Sequence, residues 1–237
     1  MAEATIAPID DIHPQTGDLV HAGGVVWLFR IIVRTLFKIF FRIRVHGLTN
    51  VPDRPVIICA NHLGWTDPFL ILLFLPVEPR IYILGERQVA HISRFRNAVV
   101  RTLQVMVPLD RDKPREALRV MSDVLARGGS LLIFPEGKLG TEEGTLQPLQ
   151  SGASHLSLHA GSPILPVGLT GTRDLWFRHT LTVQIGKPID PAQFTGDLRT
   201  RLTTFTWHLD GEMRALLPGD TQHPRVKLLN RWLTNLF

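Results

Sequence analysis

The chain has 237 residues, of which 44% are hydrophobic and 20% charged; this suits one folded domain with appended helices and excludes a disordered or low-complexity chain. Its formal net charge of +5 favours anionic partners such as phosphorylated substrates or an anionic membrane. A single tyrosine and no interleaving of aromatic with basic residues argue against nucleic acid as a partner. The lone cysteine, Cys59, excludes an intrachain disulfide.

The N-terminal part of the chain changes from polar to strongly apolar. Residues 1–22 are polar, lack the pattern of a secretory signal and are predicted to be flexible. The segment 23–44 contains the most hydrophobic run of the chain, at 25–41. This run is short for a membrane span, which needs about 20 residues, and it carries cations that oppose insertion.

Those cations recur at every fourth position, which places them on one side of a helix. They are Arg30, Arg34, Lys38 and Arg42. Because apolar residues occupy the other side, we predict an amphipathic helix in the membrane interface, with this basic stripe toward anionic headgroups. The alternative is that the helix packs against its own domain.

Residues 45–190 alternate between short β-branched runs and helix-like stretches. The predicted strands are 43–46, 55–59, 80–84, 104–107, 130–134, 163–169 and 181–186, and the predicted helices are 68–75, 86–100, 114–127 and 150–160. This alternation predicts a single α/β domain with a mostly parallel, helix-flanked sheet. Residues 191–237 are predicted to form a C-terminal helical extension, with helices at 194–217 and 225–237. The last of these is amphipathic, which fits either interfacial docking or packing on the domain.

One strand end combines a histidine with a nearby carboxylate. An apolar strand runs directly into Asn61-His62, and Asp67 follows His62 by five residues. On a regular helix these two side chains would point about 140° apart, so they can meet only across a turn. Gly64 permits that turn, and Pro68 suits the first position of a following helix. A carboxylate bonded to one ring nitrogen would leave the other to act as a base toward a substrate hydroxyl; the alternative is a histidine that supports a turn.

Two further strand ends carry candidate site residues. A second apolar strand runs into a Pro-Glu-Gly turn at 135–137, which would share the rim with His62 if the strands are parallel. A simple connecting turn is the alternative. Arg111 follows another predicted strand, where an arginine can clamp a phosphate, although most single arginines are surface residues or members of ion pairs.

Together these residues resemble the glycerolipid acyltransferase superfamily, in particular the 1-acyl-glycerol-3-phosphate (lysophosphatidic acid) acyltransferase family. The family's His-x4-Asp motif matches NHLGWTD at 61–67, and its strand that ends in arginine matches VPLDR at 107–111. Its Phe-Pro-Glu-Gly motif matches 134–137, and its apolar run around a proline matches ILPVGL at 164–169. All four occur in the family's order, and the resemblance covers roughly 45–190.

The resemblance implies acyl transfer from a thioester donor, acyl-CoA or acyl carrier protein, to the free hydroxyl of a lysophospholipid. The first candidate acceptor is 1-acyl-glycerol-3-phosphate, which would give phosphatidic acid. His62 would be the general base and Asp67 its orienting partner. The residues implied to bind substrate are Asn61, Arg111, Phe134, Pro135, Glu136, Gly137, Lys138 and Pro166. Neither a bound cofactor nor a metal is implied, and the protein is expected to lie peripherally or monotopically on the cytoplasmic face of the cell membrane.

One departure from the family's pattern concerns the acceptor. The third motif commonly continues Thr-Arg-Ser, whereas this chain has Lys138-Leu139-Gly140, so Lys138 would have to supply the charge. Three alternatives follow: a different lipid acceptor (another lysophospholipid or an ornithine-type lipid), an acyl thioesterase that uses water, and a non-catalytic membrane-binding protein. His155 and His159 have the spacing of metal ligands, but no third ligand is evident and no metal site is predicted.

Overall fold

The computed structural model describes residues 24–76, 78–86, 106–109, 112–217 and 229–234. Its helices are α1 (Gly24–Phe40), α2 (Thr66–Phe74), α3 (Pro114–Ala126), α4 (Gly152–Ala160), α5 (Leu198–Ala215) and α6 (Asn230–Thr234). Its strands are β1 (Arg42–His46), β2 (Ile57–Ala60), β3 (Ile81–Glu86), β4 (Met106–Leu109), β5 (Ser130–Ile133), β6 (Ile164–Thr170) and β7 (Thr180–Ile185). Short 3₁₀ turns occur at Leu48–Asn50 and Pro191–Gln193.

The described strands form one sheet in the order β1-β7-β6-β2-β5-β3-β4. Neighbouring strands run parallel except β6 and β7, which are antiparallel. The prediction of a mostly parallel, helix-flanked sheet is therefore confirmed. Three other predictions lie outside the described residues: the flexible segment 1–22, the helix at 86–100 beyond residue 86, and most of the helix at 225–237.

The central strand β2 is buried on both faces, which explains its continuous apolar sequence. Successive side chains of a strand point to opposite faces. Accordingly, Ile58 packs in a core cluster with side chains from α1, α2 and α6. Ile57 and Cys59 pack in a second cluster with side chains from α3, α4 and α5. Cys59 is fully buried in this cluster, and burial raises the pKa of its thiol, which disfavours the thiolate that a nucleophilic cysteine needs.

The basic stripe of α1 does not have the orientation predicted from the sequence. The guanidinium of Arg30 turns inward and donates hydrogen bonds to the carbonyl oxygens of Leu73 and Leu75, at the C-terminus of α2. These carbonyls lack partners within the helix, and a cation there also complements the helix dipole. Burial, reinforced by the neighbouring charge of Arg34, lowers the pKa of Arg30 to about 10. The prediction that the whole stripe faces headgroups is wrong for Arg30, because tertiary packing uses this charge as a helix cap.

The outward side of α1 is instead largely apolar. We call the following six exposed residues the α1 apolar face: Trp27, Leu28, Ile31, Ile32, Leu36 and Ile39. Phe40 of α1 packs with its ring centroid 6.2 Å from that of Trp232 in α6, and Trp232 is also exposed. Among the described residues, no helix combines the length and the apolar character needed to cross a membrane.

Candidate active site

The carboxyl ends of β6, β2 and β5 lie side by side, because these three strands are adjacent and parallel. The loop that follows β2 carries His62, and the loop that follows β5 carries Glu136. Ligands of open α/β sheets bind at this edge. The candidate residues from both strand ends therefore share one rim.

His62 and Asp67 meet across a tight turn. The Nδ1 atom of His62 lies 2.8 Å from Oδ2 of Asp67, which also accepts backbone N–H groups from Leu63 at 2.6 Å and Gly64 at 2.8 Å. Asp67 is fully buried in the first turn of α2, where the helix dipole favours a negative charge. Because a carboxylate only accepts hydrogen bonds, Nδ1 of His62 carries the proton and Nε2 is the basic nitrogen.

The turn is kept compact by a glycine and an aromatic ring. A Cβ atom at Gly64 would lie 2.6 Å from the carbonyl oxygen of Thr172, so only glycine fits there. The ring of Phe134 stacks on the imidazole of His62, with centroids 4.0 Å apart and planes inclined by 16°. The hydrogen bond to Asp67 and this stacking contact together fix the imidazole orientation, while the side chain of His62 stays 27% exposed.

The side chains of Asn61 and Glu136 form hydrogen bonds with backbone groups. The side-chain amide of Asn61 donates to the carbonyl of Leu169 at 2.9 Å and accepts from the N–H of the same residue at 2.7 Å. This exchange extends the pairing of β2 with β6 by one residue. The carboxylate of Glu136 accepts the N–H of His62 at 2.9 Å and that of Gln147 at 2.8 Å. Both side chains are almost fully buried and hold the turn in place; their contact with substrate stays a prediction.

The other residues predicted to bind substrate differ in their burial. Pro135 is buried, whereas Gly137 and Lys138 are exposed. Gly137 has a φ of 68°, a conformation that favours glycine. Pro166 is buried inside β6, paired in register with Cys59, so it lies within the sheet and not on the rim. Its role in an acyl site stays a prediction, as does that of Arg111, which lies outside the described residues.

Sequence reasoning missed two residues that support the turn. The carboxylate of Glu143 accepts backbone N–H groups from Gly171 and Arg173 in the loop after β6. The indole Nε1 of Trp65 donates to the carbonyl oxygen of Leu233 in α6 at 2.9 Å. Both contacts join segments that are distant in sequence, so no local sequence pattern predicts them. The tryptophan did lie inside the recognised motif, so its position was the only available signal.

The described part of the chain contains no group of three or more His, Cys, Asp or Glu side chains placed to hold a metal ion. His155 and His159 both lie on α4.

The fold is a mostly parallel α/β sheet with a hydrogen-bonded His62–Asp67 pair after a central strand, at the edge where ligands of such sheets bind. The profile of the acyltransferase family matches residues 42–170. The chain therefore belongs to the acyltransferase family.

Curated relatives and a solved structure agree with this placement. The 1-acyl-sn-glycerol-3-phosphate acyltransferase of Pseudomonas aeruginosa is 27% identical over 168 residues, which is 68% of this chain and 61% of the relative. The protein of that name from Limnanthes douglasii is 26% identical over 192 residues, 79% of this chain and 60% of the relative. The matches thus span about three fifths of these relatives.

The fold is also that of a solved protein. The crystal structure of the 1-acyl-sn-glycerophosphate acyltransferase from Thermotoga maritima matches with a TM-score of 0.64 at 22% sequence identity. The match covers 84% of this chain and 81% of that one. This similarity supports the fold.

Proposed function

We propose that this protein transfers an acyl chain from a thioester donor to the free hydroxyl of 1-acyl-glycerol-3-phosphate, giving phosphatidic acid. The single observation that carries the proposal is the His62–Asp67 pair, with Nδ1 bonded to a buried carboxylate and the imidazole partly open to solvent. No hydrogen bond from a described residue reaches Nε2 of His62, so this nitrogen is available to a substrate hydroxyl. The names of the curated relatives supply the substrate class.

The proposed reaction needs only a base and correct positioning. Nε2 of His62 takes the hydroxyl proton as the acceptor oxygen attacks the thioester carbonyl, and Asp67 stabilises the imidazolium that forms. The tetrahedral intermediate then breaks its carbon–sulfur bond, and His62 returns the proton to the departing thiolate. A thioester is already activated, so no covalent enzyme intermediate is required, which agrees with the burial of Cys59. The donor is acyl-CoA or acyl carrier protein, and Lys138 and Arg111 are the candidate cations for the acceptor phosphate.

Thiol release from acyl-CoA by the purified full chain in detergent tests the proposed reaction. We expect release that depends on added lysophosphatidic acid and yields phosphatidic acid. Release of equal rate without any acceptor would identify a thioesterase instead. No release from acyl-CoA or acyl carrier protein with any lipid acceptor would contradict the proposal. A panel with other lysophospholipids and an ornithine-type lipid is included because Leu139, at the position where the family has arginine, is 56% exposed.

We further propose that the protein binds the cytoplasmic membrane surface peripherally through the α1 apolar face. Six large apolar side chains, together with Trp232 of α6, point away from the domain. Arg34 and Lys38 are also exposed on α1 and would meet anionic headgroups beside this face. Burying each leucine or isoleucine in lipid would contribute about 1.5–3 kcal/mol. An enzyme docked through this surface would have a lipid acceptor in the membrane within reach.

The double variant Ile32→Glu/Leu36→Glu is expected to lower binding to vesicles of equal parts phosphatidylcholine and phosphatidylglycerol by at least about tenfold, because two charges replace two apolar side chains that the lipid would bury. Co-sedimentation measures the effect. The matched control is Leu198→Glu/Trp207→Glu, which changes two apolar residues of α5 that are at least as exposed and lie on the opposite face of the sheet. Equal losses in the two double variants would mean that the α1 apolar face is not the membrane contact.

A further inference from the structure

The loop after β5 is tied to the loop after β6 by a single carboxylate. Oε1 of Glu143 accepts the N–H of Gly171 at 2.7 Å, and Oε2 accepts the N–H of Arg173 at 3.3 Å. In the sheet, β2 lies between β5 and β6, so this bridge spans the strand whose end carries His62. Glu143 therefore connects the two loops that flank the His62–Asp67 turn.

The residue held between those two amides presses on the turn itself. Thr172 is almost fully buried, and its carbonyl oxygen approaches Gly64 so closely that a Cβ there would lie at 2.6 Å. The N–H of Gly64 in turn donates to Oδ2 of Asp67 at 2.8 Å, the same oxygen that faces Nδ1 of His62. A continuous set of contacts thus runs from the Glu143 carboxylate to the imidazole.

The electrostatics of Glu143 argue that its carboxylate is held there by these contacts. Burial raises the pKa of Glu143, and the nearby charges of Asp67 and Asp174 raise it further, whereas the bonds from Gly171 and Arg173 lower it. A surface glutamate would avoid this cost by turning to solvent. The two amide bonds offset part of the cost and fix the carboxylate between the loops.

We propose that Glu143 is a positioning residue for the His62–Asp67 pair. By clamping Thr172 against Gly64, it keeps the turn in the geometry in which the imidazole meets the acceptor hydroxyl. This inference rests on the proposed role of His62 as the base. Glu136 supports the turn from the β5 side by accepting the N–H of His62, so the turn is held from both sides by carboxylates of one loop.

The test compares Glu143→Gln with Glu142→Gln in the full chain. Glutamine keeps the shape of Glu143, but only one of its two terminal atoms accepts, so one of the two amides loses its partner. Glu142 is exposed and adjacent, which makes it a matched control. We measure kcat and KM for lysophosphatidic acid, thermal stability, and amide hydrogen exchange at Leu63 and Gly64.

We expect Glu143→Gln to lower kcat by about tenfold to a hundredfold, because small misplacements of reacting groups cost that much, with KM changed less than about twofold. Exchange at Leu63 and Gly64 should accelerate, and Glu142→Gln should behave as the wild type. The inference is overturned if the two variants have equal kcat or if only KM changes. It is also overturned if Glu143→Gln lowers thermal stability without accelerating exchange at Leu63 and Gly64. If the wild type shows no acceptor-dependent release, the proposed function fails, and the exchange data alone decide whether Glu143 controls the turn.

Discussion

Replacement of His62 by alanine is expected to lower kcat for acceptor-dependent thiol release by about 10²- to 10⁴-fold, the usual contribution of a positioned general base. The folded state should persist, because the backbone bonds of residue 62 to Glu136 and Gly140 do not involve its side chain. Steady-state kinetics with saturating lysophosphatidic acid, together with thermal unfolding of the same preparations, measure both effects.

The matched control for His62 is His159→Ala, which removes an exposed histidine of α4 and should leave kcat unchanged. Near-normal turnover in His62→Ala would remove the base from the mechanism. Loss of transfer together with undiminished, acceptor-independent thiol release would show that hydrolysis uses a different base.

Asp67→Asn is expected to lower kcat by a similar factor, about 10²- to 10⁴-fold, through loss of charge and not of shape. The asparagine oxygen can accept the three bonds that Oδ2 now accepts from His62, Leu63 and Gly64. Its amide nitrogen would replace Oδ1, a buried atom with no hydrogen-bond partner among the described residues. The turn is therefore retained, but a neutral amide cannot stabilise the imidazolium that forms when His62 accepts the proton.

Asp67→Asn should also cost about 1–3 kcal/mol of folding free energy, because the hydrogen bonds from Leu63 and Gly64 to a charged carboxylate become bonds to a neutral amide. Denaturant unfolding measures this loss separately from activity. Asp197→Asn is the matched control, because Asp197 accepts the N–H of Thr200 at 2.7 Å at the start of α5, far along the chain from the turn. It should lose no activity. Full activity in Asp67→Asn would mean that the imidazole needs no charged partner.

Much of the sheet could be predicted because its strands are short, β-branched and bounded by turn residues. The buried run that becomes β2 and the helix start at Asp67-Pro68 are examples in which the signal is local. Strand direction is not local. The alternation of residues within the two strands does not show that β6 and β7 pair antiparallel. The available signal is the connection at 171–179, which is too short for the crossover that parallel neighbours need.

The site divides in the same way. The contact between His62 and Asp67 could be predicted from their spacing of five residues and from Gly64, because a local turn is enough to bring the two side chains together. By contrast, the contacts of Glu143 reach 28 and 30 residues along the chain to backbone amides, which have no sequence signature. The orientation of α1 was missed for a related reason. Periodicity separates two sides of a helix, but the carbonyl oxygens at the C-terminus of α2, which accept from Arg30, decide that this side chain faces inward.

Trp65 links the His62–Asp67 turn to α1 and α6 and so fixes the distance between the turn and these two helices. It lies between His62 and Asp67 in the chain, its ring centroid is 6.1 Å from that of Phe37 in α1, and its indole is bonded to Leu233 of α6. The two helices that would rest on lipid are thus the ones that brace the turn. If the α1 apolar face marks the bilayer surface, the imidazole is held at a set height above it. Acceptors would then be selected by the distance between their free hydroxyl and their acyl chain, because this distance must match the height of the imidazole above the bilayer surface.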